Sequence, residues 1–327
     1  LIVDAHCHVI VPEITARSVP ENWRPVLGTQ DGRPAVRFRG RPLTSVLSEF
    51  SDTGVMLDAA ARTGVSHLLL SPWISLVPVE AAADEARLVC QVQNESLARL
   101  VAGQPGRLSA VGAVPVQDPL VAARELPGLL AAGLRGVEVP SSVGRRYLGD
   151  DFFLPFWEAA AATGALVFIH PTTRGLGIPA LDDYYLWNSV GNPLETAITA
   201  AHMAMAGVLE RFPRLRVLLA HGGGALPIVR GRLRRAYALR PEAAARITEG
   251  PDASLRRFYY DTVTHDADLL AGLVRYAGPE HVLLGSDRPF DMGTDHPVDE
   301  VRGLGLGPEA ELILGGNAGR LLDLANA

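Results

Sequence analysis

Leu1-Ile2-Val3-Asp4-Ala5-His6-Cys7-His8 opens the chain as an apolar run that ends in paired histidines. Three later runs end in a similar way: Ala165-Leu166-Val167-Phe168-Ile169 in His170, Leu215-Arg216-Val217-Leu218-Leu219-Ala220 in His221, and Val282-Leu283-Leu284-Gly285-Ser286 in Asp287. Runs this short and this apolar read as strands covered on both faces, as in a parallel sheet packed between helices. In a barrel of parallel strands the carboxyl ends converge on one mouth. Residues far apart in sequence then share one place, where they can hold one metal ion.

Further strand signals fall into the same rhythm. Strands are predicted near 1–8, 65–71, 107–114, 134–139, 165–170, 215–220, 257–262 and 281–286. Helical patterns separate them, near 53–63, 80–103, 118–132, 150–163, 188–211, 222–239, 266–277 and 297–303. Eight strands alternating with helices predict an α/β fold, a (β/α)8 TIM barrel, with residues 1–327 as a single domain. Gly64, Gly133 and Gly164 each stand between a helical stretch and a strand, where left-handed C-terminal caps belong. Residues 9–45 break the rhythm after the first strand, and should rise on the active-site side as a lid or flap. A second irregular stretch, 171–187, carries Arg174, Tyr184, Tyr185 and Trp187 onto the same rim.

Composition narrows the chemistry. A formal net charge of −6 and a pI near 5.9 argue against nucleic acid as the main partner. No apolar run approaches the roughly 20 residues of a membrane span. The two cysteines, Cys7 and Cys90, form no CxxC pattern, so a disulfide framework is not expected and a cytoplasmic, reducing location is. All 30 basic residues are arginine. Lysine Schiff-base chemistry is thereby excluded, as is a carbamylated lysine bridging two metals.

Strand side chains alternate faces, so His6 and His8 should point together into the barrel and Cys7 into the helix layer. With His170 and Asp287 they make an N3O donor set that leaves a position open. His221 falls at the same mouth. Glu138, in Gly136-Val137-Glu138-Val139, is the one carboxylate placed to stand in for a bridging lysine. A substrate contact or a hydrogen bond inside the barrel suits it better. His265, in Thr264-His265-Asp266, falls near the mouth as well.

These stretches resemble the amidohydrolase superfamily, in the branch of aminocarboxymuconate-semialdehyde decarboxylase and related non-oxidative decarboxylases. The resemblance is carried by Asp4-Ala5-His6-Cys7-His8, Phe168-Ile169-His170-Pro171, Arg211-Phe212-Pro213-Arg214-Leu215, Ala220-His221-Gly222-Gly223-Gly224-Ala225-Leu226-Pro227 and Gly285-Ser286-Asp287-Arg288-Pro289-Phe290. It implies one divalent ion, zinc with manganese as the alternative, held by His6, His8, His170 and Asp287. His221 would be the acid/base beside it. The implied reaction is decarboxylation of a small unsaturated or aromatic carboxylic acid. The same equipment would let a hydrolase or hydratase act on a lactone, an amide or an activated alkene.

The resemblance also points to arginines. Arg232 matches an arginine that reaches the neighbouring subunit's substrate in related decarboxylases, which implies a homodimer; a guanidinium suits bidentate carboxylate recognition. Arg288 follows the metal-binding aspartate, where the family commonly has an aromatic residue. It would either meet substrate or pair with Asp291 on the rim. Arg174 and Trp187 are the remaining substrate candidates. Related enzymes carry an arginine on the helix before strand two, where Thr53-Gly54-Val55-Met56-Leu57-Asp58 has none. That departure turns the reading away from aminocarboxymuconate semialdehyde itself.

Overall fold

The computed structural model describes residues 1–30, 32–43, 50–172 and 174–324. Eight strands carry it: β1 Val3–Val9, β2 His67–Pro72, β3 Leu108–Ala110, β4 Gly136–Pro140, β5 Leu166–His170, β6 Arg216–Leu219, β7 Tyr259–Asp261 and β8 Val282–Leu283. Every residue of β1 to β5 is buried, as in a sheet covered on both faces. A helix follows each strand: α1 Thr53–Arg62, α2 Ala83–Gly103, α3 Pro119–Ala131, α4 Leu154–Thr163, α5 Asn192–Met205, α6 Leu226–Leu239, α7 Ala267–Ala277 and α8 Pro297–Gly303. Asp52, Asp118 and Asp266 cap α1, α3 and α7 by accepting from backbone N–H groups of the first turn. Gly64, Gly133 and Gly164 take φ of 84°, 93° and 69°, as their places after helices predict.

The strands pair in parallel, β1 to β3 in one sheet and β4 to β8 in another. Two bridges join the sheets, Gly112 with Val137 and Cys7 with Arg288. At the second seam Ala5 N donates to Leu284 O at 2.8 Å and His8 N to Arg288 O at 2.7 Å. The ring is thereby closed, and the fold is the (β/α)8 barrel.

β1 does not alternate evenly. Val3 and Ala5 belong to the apolar cluster inside the barrel, whereas Cys7 and Val9 belong to the layer under the helices. A strict two-residue period would put all four on one face. A register shift between Asp4 and Cys7 absorbs the difference. This irregularity turns His6 and His8 inward above an apolar floor, the sort of re-aiming that bulges provide beside active sites. Phe168 lies in that floor, its ring 4.8 Å from that of His6. Ala318 and Leu321, from the C-terminal helix, pack into the same inner cluster.

Three antiparallel strands, Val26–Gln30, Arg33–Phe38 and Arg41–Leu43, form the segment between β1 and α1. Residues 31, 44 and 45 of the expected insertion lie outside the described residues. Phe38 anchors this sheet, 6.0 Å from the Trp23 ring and 5.7 Å from that of Trp73 on the loop after β2. Ile10 N donates to Phe50 O at 2.8 Å, so the segment leaves and rejoins the barrel at the carboxyl end of β1.

Two helix boundaries differ from the sequence reading. The stretch 188–211 is a π turn at Trp187–Gly191, then α5, then a separate turn at Val208–Arg211. Gly207 breaks it with φ of 74°, and a Cβ there would stand 2.7 Å from Arg246 O. The helix expected over 222–239 begins only at Leu226, because the glycines before it form a turn of their own.

Candidate metal centre

Five side chains converge at the carboxyl ends of β1, β5, β6 and β8. Donor atoms of His6, His170, His221 and Asp287 all lie within 4.8 Å of one another. His8 joins them, its Nε2 3.0 Å from His6 Nε2 and 3.2 Å from Asp287 Oδ1. Asp287 Oδ1 is also 3.2 Å from His6 Nε2, and its Oδ2 is 3.4 Å from His221 Nε2. His6 and His8 are wholly buried, and His170 and Asp287 are each 5% exposed.

The far nitrogen of each buried histidine is held by the fold. His6 Nδ1 meets Asp261 Oδ2 at 2.5 Å, and His170 Nδ1 meets Pro171 O at 3.0 Å. His8 Nδ1 lies 3.0 Å from Ser71 Oγ and 3.3 Å from Pro72 O. Carbonyl and carboxylate acceptors fix the proton on Nδ1, which turns the Nε2 lone pairs toward the centre. There, His170 Nε2 and Asp287 Oδ1 are buried with no hydrogen-bond partner. Lone pairs gathered without donors cost free energy unless a cation lies among them. Three imidazoles and a carboxylate are a donor set that fits a divalent ion.

Asp261, at the end of β7, organises both halves of the centre. Besides His6, it accepts the backbone N–H of His221 at 2.8 Å, of Gly222 at 2.7 Å and of Val263 at 3.0 Å. Sequence reasoning passed over it, although it closes the predicted strand 257–262 just as His170 and Asp287 close theirs. Asp4 does a related task from the outer face of β1, accepting Ser286 Oγ at 2.5 Å and Ser286 N at 3.1 Å. These bonds tie the turn that carries Asp287 to β1.

The glycine run after His221 has a steric cause. Gly222, Gly223 and Gly224 all take positive φ. A Cβ at Gly223 would sit 2.7 Å from the Tyr260 ring, and one at Gly224 would sit 2.1 Å from Pro193 O. Only glycine lets this turn press against its neighbours. His221, His265 and Asp287 also hold left-handed backbones, at φ of 57°, 54° and 59°. Strain of this kind costs about 1–3 kcal/mol per residue and gathers at functional sites.

Electrostatics follow from burial and pairing. Burial opposes charge on Asp287, yet His6, His221 and His8 hold its carboxyl well below the ordinary value. Burial likewise opposes charge on His6, but Asp287 and Asp261 outweigh it and push the imidazole up to about 10. His170 has no such compensation: burial first, then the neighbouring histidines, hold it well below its usual value. Glu138 lies fully buried 3.8 Å from His8 Nδ1, with neither oxygen hydrogen-bonded. Burial raises its pKa well above the usual carboxylate range.

A cavity of about 320 Å³ opens beside the cluster, lined by His221 and Asp287 together with Asn192, Val263, His265 and Leu269. No arginine is among the described residues that line it. Arg174 pairs with Asp182 and lies 5.1 Å from the Trp187 ring, which itself packs 4.8 Å from Tyr185 on the rim. Arg288 pairs with Asp295 at 2.8 Å, and with Cys7 and Met56 it lines a small cavity between barrel and α1. Arg232 is exposed on α6. Of the substrate candidates, then, none lines the cavity within this chain; each lies on the rim, in the outer layer or on the surface.

The amidohydrolase family profile matches residues 3–324. The chain is 29% identical to the 2-amino-3-carboxymuconate-6-semialdehyde decarboxylase of Dictyostelium discoideum, over 99% of this chain and 92% of that one. Among solved structures it is similar to 5-carboxyvanillate decarboxylase from Sphingomonas paucimobilis, with a TM-score of 0.85, 26% identity and 98% of each chain covered. It also shares its fold with a dihydroxybenzoic acid decarboxylase from Polaromonas, solved with manganese and 2-nitroresorcinol, at a TM-score of 0.81 and 23% identity, over 100% of this chain and 98% of that one. With the barrel, the strand-end donors and a profile match along nearly its whole length, this chain belongs to the amidohydrolase family.

Proposed function

We propose that this chain is a metal-dependent, non-oxidative carboxy-lyase acting on an aromatic or unsaturated carboxylic acid. His6, His8, His170 and Asp287 would hold one divalent ion, zinc or, as in the Polaromonas relative, manganese. The observation that carries the reading is the cluster of donor atoms facing one another at the mouth, with His170 Nε2 and Asp287 Oδ1 buried and unpartnered, beside a cavity sized for a small ring. Decarboxylases among the relatives support carbon–carbon cleavage over hydrolysis.

An ion in this set supplies Lewis-acid polarisation of a substrate oxygen. The protein handles the proton. His221 Nε2 lies beside Asp287 Oδ2 and opens on the cavity, so it is the group that carries a proton to the carbon bearing the carboxylate. As that C–H bond forms, the bond to the carboxylate carbon breaks and its electron pair stays with the ring. One proton enters, one CO2 leaves, and nothing is oxidised. Val263, Leu269, Leu273 and Met292 give the cavity an apolar wall. Such surroundings favour the step that turns a charged carboxylate into neutral CO2.

The antiparallel segment after β1 serves in this reading as the lid. Both cysteines are free and buried, which suits a reducing compartment. Metal-loaded protein incubated with hydroxy- and aminobenzoic acids is expected to release one CO2 per product formed. Oxygen from labelled water in the product would overturn the assignment in favour of hydrolysis or hydration.

A homodimer completes the proposal. Arg232 is exposed on α6 and suited to reach a neighbour's reacting carboxylate. Mixed dimers of inactive His221→Ala and Arg232→Ala chains are expected to recover up to about a quarter of wild-type activity, in the manner of a shared site. A demonstrated mixed dimer with no recovery would refute the trans role.

A further inference from the structure

Among the polar side chains of the cavity lining that this mechanism does not use, Asn192 is the one with a buried, unpartnered oxygen. Asn192 lies at the start of α5, is 8% exposed, and lines the cavity with His221 and Asp287. Its Oδ1 is buried with no hydrogen-bond partner. A buried amide oxygen left unsatisfied weakens the fold, whereas an apolar residue there would not. The position therefore looks outward from the fold, toward something that enters the cavity.

The backbone beside Asn192 is joined to the turn that carries the proposed acid/base. Ala225 N donates to Pro193 O at 3.1 Å, next in sequence to Asn192. Gly224 approaches the same carbonyl so closely that no other residue fits. The turn carrying His221 and the start of α5 thus pack directly against each other. A group that orients a ring relative to a proton donor needs a fixed separation from it.

We infer that Asn192 is a specificity-determining residue, whose Oδ1 accepts a hydrogen bond from a hydroxyl or amino substituent of the substrate ring. The inference rests on the aromatic-acid reading of the site. Its chemistry is selective: a neutral acceptor, in a cavity with no arginine among the described residues that line it, favours a neutral donor and disfavours a second carboxylate at that place.

The test measures binding, without turnover. Protein reconstituted with manganese is titrated with 2-nitrophenol and with each of its four monohydroxy derivatives, followed by nitrophenolate absorbance. At least one derivative is expected to bind wild type about tenfold more tightly than 2-nitrophenol, the discrimination of one well-placed hydrogen bond. Asn192→Leu should erase that gain while leaving 2-nitrophenol affinity within about twofold. Asn192→Ala, which removes the amide without adding bulk, gives the same reading if the leucine variant does not fold. A gain that persists in either folded variant, or no gain with any derivative in wild type, overturns the inference while leaving the metal-site reading intact. Failure of 2-nitrophenol itself to bind loaded wild type overturns both.

Discussion

Replacing His221 with alanine is expected to lower kcat by about a thousandfold while the protein keeps its metal, within the 10²–10⁴ range of a lost general acid/base. Three observations support the split. His221 has the most exposed side chain of the five, 16%, and it lines the cavity. Its Nδ1 has no hydrogen-bond partner, unlike the anchored Nδ1 atoms of the buried histidines. Its backbone N–H, which survives the substitution, continues to engage Asp261. Alanine at φ of 57° brings some backbone strain, so His221→Asn serves as the matched control, since asparagine tolerates that conformation. Steady-state kinetics with metal analysis decide the matter. An unchanged rate in both variants would sink the acid/base role, and loss of the metal would make His221 a ligand.

The barrel and the centre of the site were legible because their signals are local. An apolar run closed by His or Asp marks a strand and its carboxyl end together, which is how His6, His8, His170, His221 and Asp287 could be set at one mouth. Asp261 carries the same signal and was passed over, because Tyr259-Tyr260-Asp261-Thr262 matches no histidine motif and its role is to hold other residues. The shift within β1 leaves no mark in sequence; it shows only when Ala5 and His6 are found facing the same interior. Arginine pairing was the least readable. Arg174 with Asp182 and Arg288 with Asp295 are pairs between residues seven or eight apart on irregular loops, whose geometry no periodicity constrains. Asn192 was missed for a different reason. It falls inside the stretch read as helix from 188 onward, and only the cavity reveals an amide oxygen with no hydrogen-bond partner.

Wild-type protein is expected to carry about one divalent ion per chain, and Asp287→Ala to lose it, with activity falling to background. Asp287 touches three of the four histidines: His6 and His8 through Oδ1, His221 through Oδ2. It is also the anionic member of the donor set, so its removal leaves only neutral imidazoles around a doubly charged ion. Loss of an outer partner such as Asp261 typically costs 10–100-fold in affinity, and loss of a direct ligand should exceed about 100-fold. The pH dependence gives an independent check. The two carboxylates hold the His6 imidazolium up to about 10, so in metal-free protein His6 carries a proton at neutral pH. The ion needs that nitrogen free, so its uptake displaces a proton, and affinity should rise with pH toward about 10. Without Asp287 one of the two carboxylates raising His6 is gone, and the same rise should shift to lower pH. Elemental analysis of the purified proteins, with metal titrations across pH, tests both points. Full occupancy in Asp287→Ala would remove this aspartate from the ligand set.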